Sequence, residues 1–403
     1  MKTRSRKPYL YVLVAVLTAG LFLIAAEGTA LALGPGSGET SGTAYDKASF
    51  WKTSLENLES SGVSRPMDEI YREIFKGDEA GWRKIVDDIL SGRGLDLGYL
   101  FRDASRSIFG SFISHSKVLG KILLIGVAIA CLRVLGETVA PQGSSNVAIQ
   151  AAHLALIVLA MWSFKDILAI AREAMESLRT AFFAFVPALT GLTLASGATV
   201  TAGVLHPLVF GMGSFVSIFV LDVGFPLIYT SIAVDMAGNV GGSDRVTGVA
   251  ELLRQVAFLG IGVLMSCFVG VVVGQRAAAG VADGVALRTA KYVSSTFIPV
   301  AGKMVGDTMD MFFHSLFSLK SALGIAGSLV ILGAVFSPLL RMLSCLFAWK
   351  IAFSVLGPLC GQEVKKSLRC MSDGITFLAV SVFVTAFVFI ICLSLVSSAV
   401  RTY

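Results

Sequence analysis

Long apolar runs recur along the chain from residue 118 to its end, with short polar stretches between them. A helix of about 18 to 20 apolar residues can cross the ~30 Å hydrocarbon core of a bilayer. Backbone amides in lipid must be hydrogen-bonded within the segment, which favours helices. The pattern therefore predicts an all-α, polytopic membrane protein of about eight spans. The runs with this character are 118–135, 147–164, 204–221, 226–240, 258–273, 323–336 with its continuation to 356, and 375–400.

The start of the chain has the pattern of a secretory signal peptide. Four basic residues precede an apolar stretch at 10–26, and Ala-Leu-Ala at 30–32 matches a small-residue cleavage site. We expect residues 1–32 to be a cleaved signal peptide, with an uncleaved membrane anchor as the alternative. In both cases the residues that follow are exported.

Three further regions follow the signal peptide. Residues 33–45 form a flexible linker rich in Gly, Ser and Thr, and residues 46–116 alternate apolar and charged positions at helical spacing. We expect a small helical extracytoplasmic region at 46–116 and a multi-span membrane domain at 117–403. A region of this size is marginal for independent folding. It is either a solvated cap on the membrane domain or a docking surface, and both interpretations stay open.

Composition agrees with the membrane assignment. Hydrophobic residues make up 55% of the chain and charged residues 15%, whereas soluble domains carry about 25% charged residues. The formal net charge of +6 comes from the signal and the membrane domain, because the exported region is acidic. No basic stripe with interleaved aromatic residues is present, so we expect no nucleic-acid partner.

An internal repeat is suggested by matching motifs. Leu-Arg-Thr-Ala at 178–181 recurs at 287–290, and the intervals between matched prolines are equal. The repeat hypothesis gives units 147–240 and 256–356. The prolines that act as candidate hinges are Pro187, Pro226, Pro299 and Pro338.

If the repeat holds, it has a structural meaning. The short Pro-interrupted segments 181–195 and 292–302 are brief for a crossing and predict broken or re-entrant helices. Three spans per unit would invert the second unit relative to the first. Inverted repeats with paired interrupted segments point to a site or pore at their interface.

The predicted topology follows from eight spans and an exported start. It places the C-terminus outside and the main basic groups inside, as the positive-inside rule requires. Those groups are Arg276, Arg288, Lys291, Lys303, Lys320, Lys365, Lys366 and Arg369.

Catalytic patterns are missing from the sequence. The four histidines have no metal-ligand spacing, and neither a phosphate-binding loop nor Gly-x-Ser-x-Gly occurs. We therefore expect no enzyme activity, no metal site and no cofactor.

Ionisable residues within apolar stretches are the better candidates for function. Charged groups at membrane depth are costly unless they are paired or hydrated. They predict either the polar lining of a conduit or structural ion pairs and interfacial residues. Asp222 and Asp235 flank Pro226, while Arg341 and Lys350 follow Pro338. The candidate lining residues are Asp283, Arg288, Lys291, Asp307, Asp310 and His314.

Two longer motifs resemble a known family. The stretch Asp-Gly-Val-Ala-Leu-Arg-Thr-Ala-Lys at 283–291 and Phe-Ile-Pro-Val-Ala-Gly-Lys-Met at 297–304 are similar to the stage III sporulation protein AE family. His206-Pro207 and Leu-Leu-Arg at 252–254 are similar too. The resemblance covers most of the chain and is weak in 34–116.

The resemblance implies a role in endospore formation. Members belong to a multi-protein complex, a channel or secretion-like apparatus that joins mother cell and forespore and supports late forespore gene expression. It implies a multi-pass protein of the mother-cell membrane, with the N-terminal region between the two membranes. Expected partners are other stage III complex proteins, membrane lipid and copies of the chain itself. A stand-alone secondary transporter with inverted repeats and a non-conducting scaffold remain alternatives.

Overall fold

The computed structural model describes residues 120–134 except 122, 132 and 133, together with 144–241, 244–297 and 302–397. Within 276–315, side chains are described only for Ala278 and Val285. The predicted signal peptide (1–32), linker (33–45) and extracytoplasmic region (46–116) lie outside the described residues. Every regular element in the described ranges is helical, which confirms the predicted all-α class.

Six α-helices and one π-helical turn follow one another from residue 144. Their bounds are α1 (Ser144–Ala195), α2 (Thr199–Ile218), the π-helical turn (Phe219–Gly224), α3 (Phe225–Gly241), α4 (Asp244–Phe297), α5 (Gly302–Leu359) and α6 (Gln362–Ser397). The flanking residues of the π-helical turn, Ile218 and Phe225, are right-handed helical. Therefore α2, the turn and α3 form one continuous rod.

Glycine explains the sharp end of α1. Gly197 has φ 79°, a left-handed conformation that favours glycine. The amide of Ala198 donates to the carbonyl of Thr193 at 3.3 Å, and the amide of Gly197 donates to Leu194 at 3.0 Å. This pair of bonds is a Schellman cap, which satisfies the last carbonyls of α1 and allows α2 to fold back against it.

Successive rods run back and forth, so the bundle has two ends. The Gly361 end, named for the residue between α5 and α6, holds the starts of α1, α4 and α6 and the ends of α3 and α5. The Gly197 end, named for the residue between α1 and α2, holds the opposite termini. Contacts fix this arrangement: His153 of α1 meets Ser367 of α6 at the Gly361 end, and Thr190 of α1 meets His206 of α2 at the Gly197 end.

Helix α6 lies at the centre. In its most apolar stretch 61% of residues are buried, against 28–44% in the corresponding stretches of the other four rods. Phe389 of α6 stacks on Phe182 of α1 with ring centroids 4.1 Å apart. Gly374 of α6 leaves room for Ile232 of α3 and Phe164 of α1. The core is therefore built around α6.

Five rods in the described residues are long and apolar enough to cross a membrane. Large apolar side chains face outward on them, including Trp162, Leu259 and Phe347, which are 63%, 68% and 58% exposed. An apolar outer surface of this kind suits lipid. The structure therefore agrees with a multi-pass helical membrane protein.

The rods differ from the eight separate spans expected from the sequence. Runs 204–221 and 226–240 belong to one rod, and 323–336 and its continuation belong to α5. Pro187 likewise lies inside α1 instead of breaking it. Prolines are tolerated inside membrane helices because neighbouring groups satisfy the freed backbone atoms and no water competes for the rest.

Fewer rods change the predicted topology. Lys303 lies at the start of α5 and Lys365 at the start of α6, so an unbroken α5 separates them to opposite ends of the bundle. The sequence placed both on the same side. Each proposed repeat unit also draws on two long rods instead of three spans, so the odd count that predicted inversion is missing from the described helices.

Candidate functional site

An ion pair inside the bundle joins three helices near the Gly361 end. Arg254 of α4 donates from Nη2 to Oδ2 of Asp235 on α3 at 3.0 Å, and the two side chains are 13% and 18% exposed. The same Nη2 lies 3.6 Å from Sγ of Cys370 on α6. The guanidinium also lies 5.7 Å from the ring centroid of Phe377. Arg254 therefore makes polar contacts with α3 and α6 and a cation–π contact with α6.

The α3–α4 hairpin explains why these two charges meet. Only residues 242 and 243 separate the helices, so positions on either side of the connection face each other in antiparallel register. Ser231, one turn before Asp235, donates to the carbonyl of Ala250, one turn before Arg254, at 2.7 Å. At Gly238 a Cβ would lie 3.2 Å from Cβ of Val246, so the helices approach closely near the connection.

A second polar contact joins α1 to α6 at the same end. His153 is 3% exposed, and its Nε2 lies 3.1 Å from Oγ of Ser367. Its Nδ1 lies 3.9 Å from Oε2 of Glu363, whose side chain is 62% exposed. A buried imidazole needs a partner to offset its lost hydration. Here it has a hydroxyl inside the bundle and a carboxylate toward the outside.

One face of α6 carries both contacts. Glu363, Ser367, Cys370, Gly374 and Phe377 are spaced three and four residues apart, so they share a helical face. The face touches α1 through Ser367 and α4 through Cys370. We name these five residues the α6 polar seam. It gives the central helix specific contacts with its neighbours, where apolar packing alone would leave its register less defined.

The Gly197 end has a smaller polar contact. Oγ1 of Thr190 lies 3.1 Å from Nδ1 of His206 and donates to the carbonyls of Val186 or Pro187 at 3.0 and 2.9 Å. Pro187 and Pro207 flank the contact. Side-chain hydroxyls commonly support backbone next to prolines in membrane helices. This geometry fits a structural role for His206.

The π-helical turn lies in the middle of the α2–α3 rod. It contains Asp222 and is followed at once by Phe225 and Pro226. A π-helical turn is rare and often occurs at functional sites. Asp222 is exposed on the rod surface, in contrast to Asp235 on the same rod.

The sequence-predicted lining residues fall on two helices. Asp283, Arg288 and Lys291 lie in α4, and their side chains lie outside the described residues. The same holds for the candidates in α5, which are Asp307, Asp310 and His314.

The candidate hinges fall in different settings. Pro187 lies inside α1 and Pro338 inside α5. Pro226 follows the π-helical turn. Pro299 lies outside the described residues.

Two residues of the polar contacts were not singled out for this role from the sequence. Arg254 was noted only as part of a family-like motif, and His153 only as a scattered histidine. A charge inside an apolar run, facing an opposite charge across a predicted hairpin, is the signal that pairs Arg254 with Asp235. No comparable signal exists for His153, because its partner Ser367 is 214 residues away.

Comparison with known proteins identifies the family. The model of the family described as "Stage III sporulation protein AE" matches residues 81–399. Stage III sporulation protein AE of Bacillus subtilis (strain 168) is 29% identical over 292 residues, which are 72% of this chain and 73% of that protein. No solved structure matches the chain. The family name refers to a stage of sporulation and names no chemical reaction.

The matched range includes all five candidate spans, which end at Ser397. The resemblance read from 283–291 and 297–304 is thereby confirmed, and the membrane bundle is part of what the family shares. The chain belongs to the stage III sporulation protein AE family.

Proposed function

We propose that this protein is a non-enzymatic membrane component of the sporulation complex that links mother cell and forespore. Its bundle would contribute to a channel or secretion-like apparatus needed for late forespore gene expression. The observation that carries the proposal is the family match over 81–399, which includes every candidate span. The protein would be multi-pass in the mother-cell membrane, with its N-terminal region extracytoplasmic and other stage III proteins as partners.

The candidate lining residues support a conduit by their position. Asp283, Arg288 and Lys291 lie toward the end of α4, and Asp307 and Asp310 lie near the start of α5. Only residues 298–301 separate the two helices, and a short link of this kind spans at most about 18 Å. Gly324 of α5 lies against Ser397 of α6 at the Gly197 end, so Asp307 and Asp310 lie beyond that end of the bundle, and the short link keeps the α4 group close to them. Such residues usually face a bundle interior or an aqueous cavity.

Cysteine accessibility tests the conduit directly. Single cysteines along 292–314, in a chain whose Cys131 and Cys267 are replaced by Ser, are treated in intact sporulating cells with a membrane-impermeant thiol reagent. We expect reactive positions at helical spacing on one stripe of α5. Uniform protection would contradict an aqueous lining.

A genetic test addresses the role itself. We expect Asp307→Asn combined with Asp310→Asn to lower sporulation and the activity of a late forespore reporter. The matched control is Glu251→Gln, an exposed carboxylate near the Gly361 end. With protein levels matched, wild-type sporulation in the double variant would favour a non-conducting scaffold.

A stand-alone secondary transporter is the second candidate. The π-helical turn before Pro226 favours it, because π-helical turns often occur at functional sites. An uptake assay with the purified protein in lipid vesicles distinguishes the channel component from the transporter. Ion-coupled uptake by the protein alone supports a transporter. Co-purification with other stage III complex proteins, without uptake, supports the channel component.

A further inference from the structure

Asp222 is a charged residue on the outer surface of a membrane rod. It lies 23 residues after Thr199 in the candidate span Thr199–Asn239, and it is exposed. Its carboxylate has no hydrogen bond or ion pair with the described residues. A carboxylate at this depth is costly unless another group pairs with it or water reaches it. The surface around Asp222 is therefore expected to be covered in the assembled protein.

An exposed apolar stripe leads to Asp222 along α2. Val204, Phe215 and Ile218 are 38%, 55% and 47% exposed. With Gly211 and Asp222 they are spaced three, four or seven residues apart, which keeps them on one face of the rod. At Gly211 an added Cβ would meet nothing within 4 Å. We name these five residues the α2 outer face; the glycine would let another helix approach closely.

The same chain carries a basic group at the matching depth. Arg341 of α5 is exposed and lies in the candidate span Leu319–Leu359. It too has no ion pair with the described residues. Contacts with α1 set the level of the two charges: Gly213 of α2 lies against Phe182, and Gly327 of α5 lies against Phe185. Asp222 follows Gly213 by nine residues and Arg341 follows Gly327 by fourteen, so the two charges lie within about one helical turn of each other along the bundle. In two copies with the same orientation in the membrane, the two charges would be level.

We propose that a second copy of this chain packs its α5 against the α2 outer face, so that Asp222 pairs with Arg341 of the neighbouring copy. The contact joins two different surfaces and is therefore head-to-tail. Head-to-tail contacts between copies of one orientation in a bilayer close into a ring around the membrane normal when the rotation permits. In this arrangement Asp222 holds neighbouring subunits together, and the chain is the subunit of a ring.

Depth distinguishes Arg341 from the other exposed cation on α5. Lys350 is exposed as well, but it lies nine residues nearer the Gly361 end, which is about 13 Å along a helix. Lipid supplies no fixed cation at the level of Asp222. Charge complementarity at equal depth therefore favours a second copy over lipid, and Lys350 serves as an internal control.

Cross-linking between tagged copies tests the contact. Full-length chains with Cys131 and Cys267 replaced by Ser are co-expressed, one carrying Asp222→Cys and the other Arg341→Cys, each with its own epitope tag. Oxidation of isolated membranes with copper phenanthroline should give a covalent dimer containing both tags. Replacing Arg341→Cys by Lys350→Cys should lower the yield about tenfold, because of the distance along the helix.

Three results would overturn the proposal. They are no mixed dimer when both chains are inserted at wild-type levels, equal cross-linking to Lys350→Cys, and cross-linking of Asp222→Cys to a different protein instead. The assay is carried out in membranes and does not measure sporulation. Its failure is therefore distinct from a failure of the proposed sporulation role.

Charge exchange gives a second measurement. Asp222→Arg or Arg341→Asp alone should lower the oligomeric fraction in mild detergent about tenfold or more, because like charges then face each other. The double exchange should restore it. Two results together would contradict the contact. They are an unchanged oligomeric fraction for the milder variant Asp222→Asn, and an oligomeric fraction that stays low when Asp222→Arg and Arg341→Asp are combined.

Discussion

Asp222 and Asp235 lie on the same rod, thirteen residues apart, and have opposite surroundings. Asp235 faces the bundle and binds Arg254 at 3.0 Å. Asp222 faces outward from the π-helical turn and has no partner among the described residues. The carboxylate of Asp235 therefore stabilises the fold of its own chain. The carboxylate of Asp222 requires a partner from outside that chain.

The difference separates two kinds of intramembrane charge. A charge satisfied within the bundle contributes to the fold of the subunit, and its loss should be measured as lost stability. A charge left on the outer surface contributes to assembly, and its loss should leave the isolated subunit folded. The Arg254–Asp235 ion pair and Asp222 on the α2 outer face are examples of the two kinds.

The largest expected effect is at the buried ion pair. Arg254→Leu leaves the Asp235 carboxylate without its cation inside the bundle, which should lower the free energy of unfolding by about 3–5 kcal/mol. The measurement is unfolding of the purified protein by SDS in mixed micelles. Arg254→Leu combined with Asp235→Leu should recover most of the loss, because replacing both charges by apolar groups is often close to neutral.

The matched comparison for this variant is Asp222→Leu, which removes a carboxylate from the outer face of the same rod. In dissociated subunits we expect it to change the free energy of unfolding by less than about 0.5 kcal/mol. A loss at Asp222 as large as that at Arg254 would contradict the distinction between the two sites.

A packing variant sharpens the same contrast between inside and outside. Gly374→Val places side-chain atoms where α6 meets Ile232 and Phe164, and should lower the free energy of unfolding by about 1–3 kcal/mol. The control is Gly262→Val in α4, where an added Cβ meets nothing within 4 Å. Equal losses at the two glycines in the same SDS titration would show that α6 is not the centre of the bundle.

Much of the fold could be predicted from apolar patterning, but the positions at which the helices end could not. Runs such as 147–164 and 375–400 identify the rods correctly because length and hydropathy decide membrane insertion. The sequence predicts hinges at Pro226 and Pro338, since prolines end helices in water. Inside a bilayer the backbone has no other hydrogen-bond partners, and both prolines lie within continuous rods.

The polar contacts could be predicted only in part. Asp235 was recognised as an intramembrane charge, but its orientation depends on how the α3–α4 hairpin packs against α6. Asp222 looks the same in the sequence, because one residue type in one apolar run gives no indication of which face meets another helix. His153 pairs with Ser367 across 214 residues, and a long-range contact between two such ordinary polar residues leaves no local pattern.

The smallest expected effect is at His153, where the contact is a neutral hydrogen bond. Ser367→Ala removes the hydroxyl 3.1 Å from Nε2, and should lower the free energy of unfolding by about 0.5–2 kcal/mol. The control is Ser354→Ala, at an exposed position of α5, which should have no measurable effect. His153→Phe combined with Ser367→Ala should be less destabilising than the sum of the single changes, because the two residues act on the same contact. Strictly additive losses would mean that His153 and Ser367 stabilise the bundle independently, and that only the charged contact near Arg254 fixes the central helix.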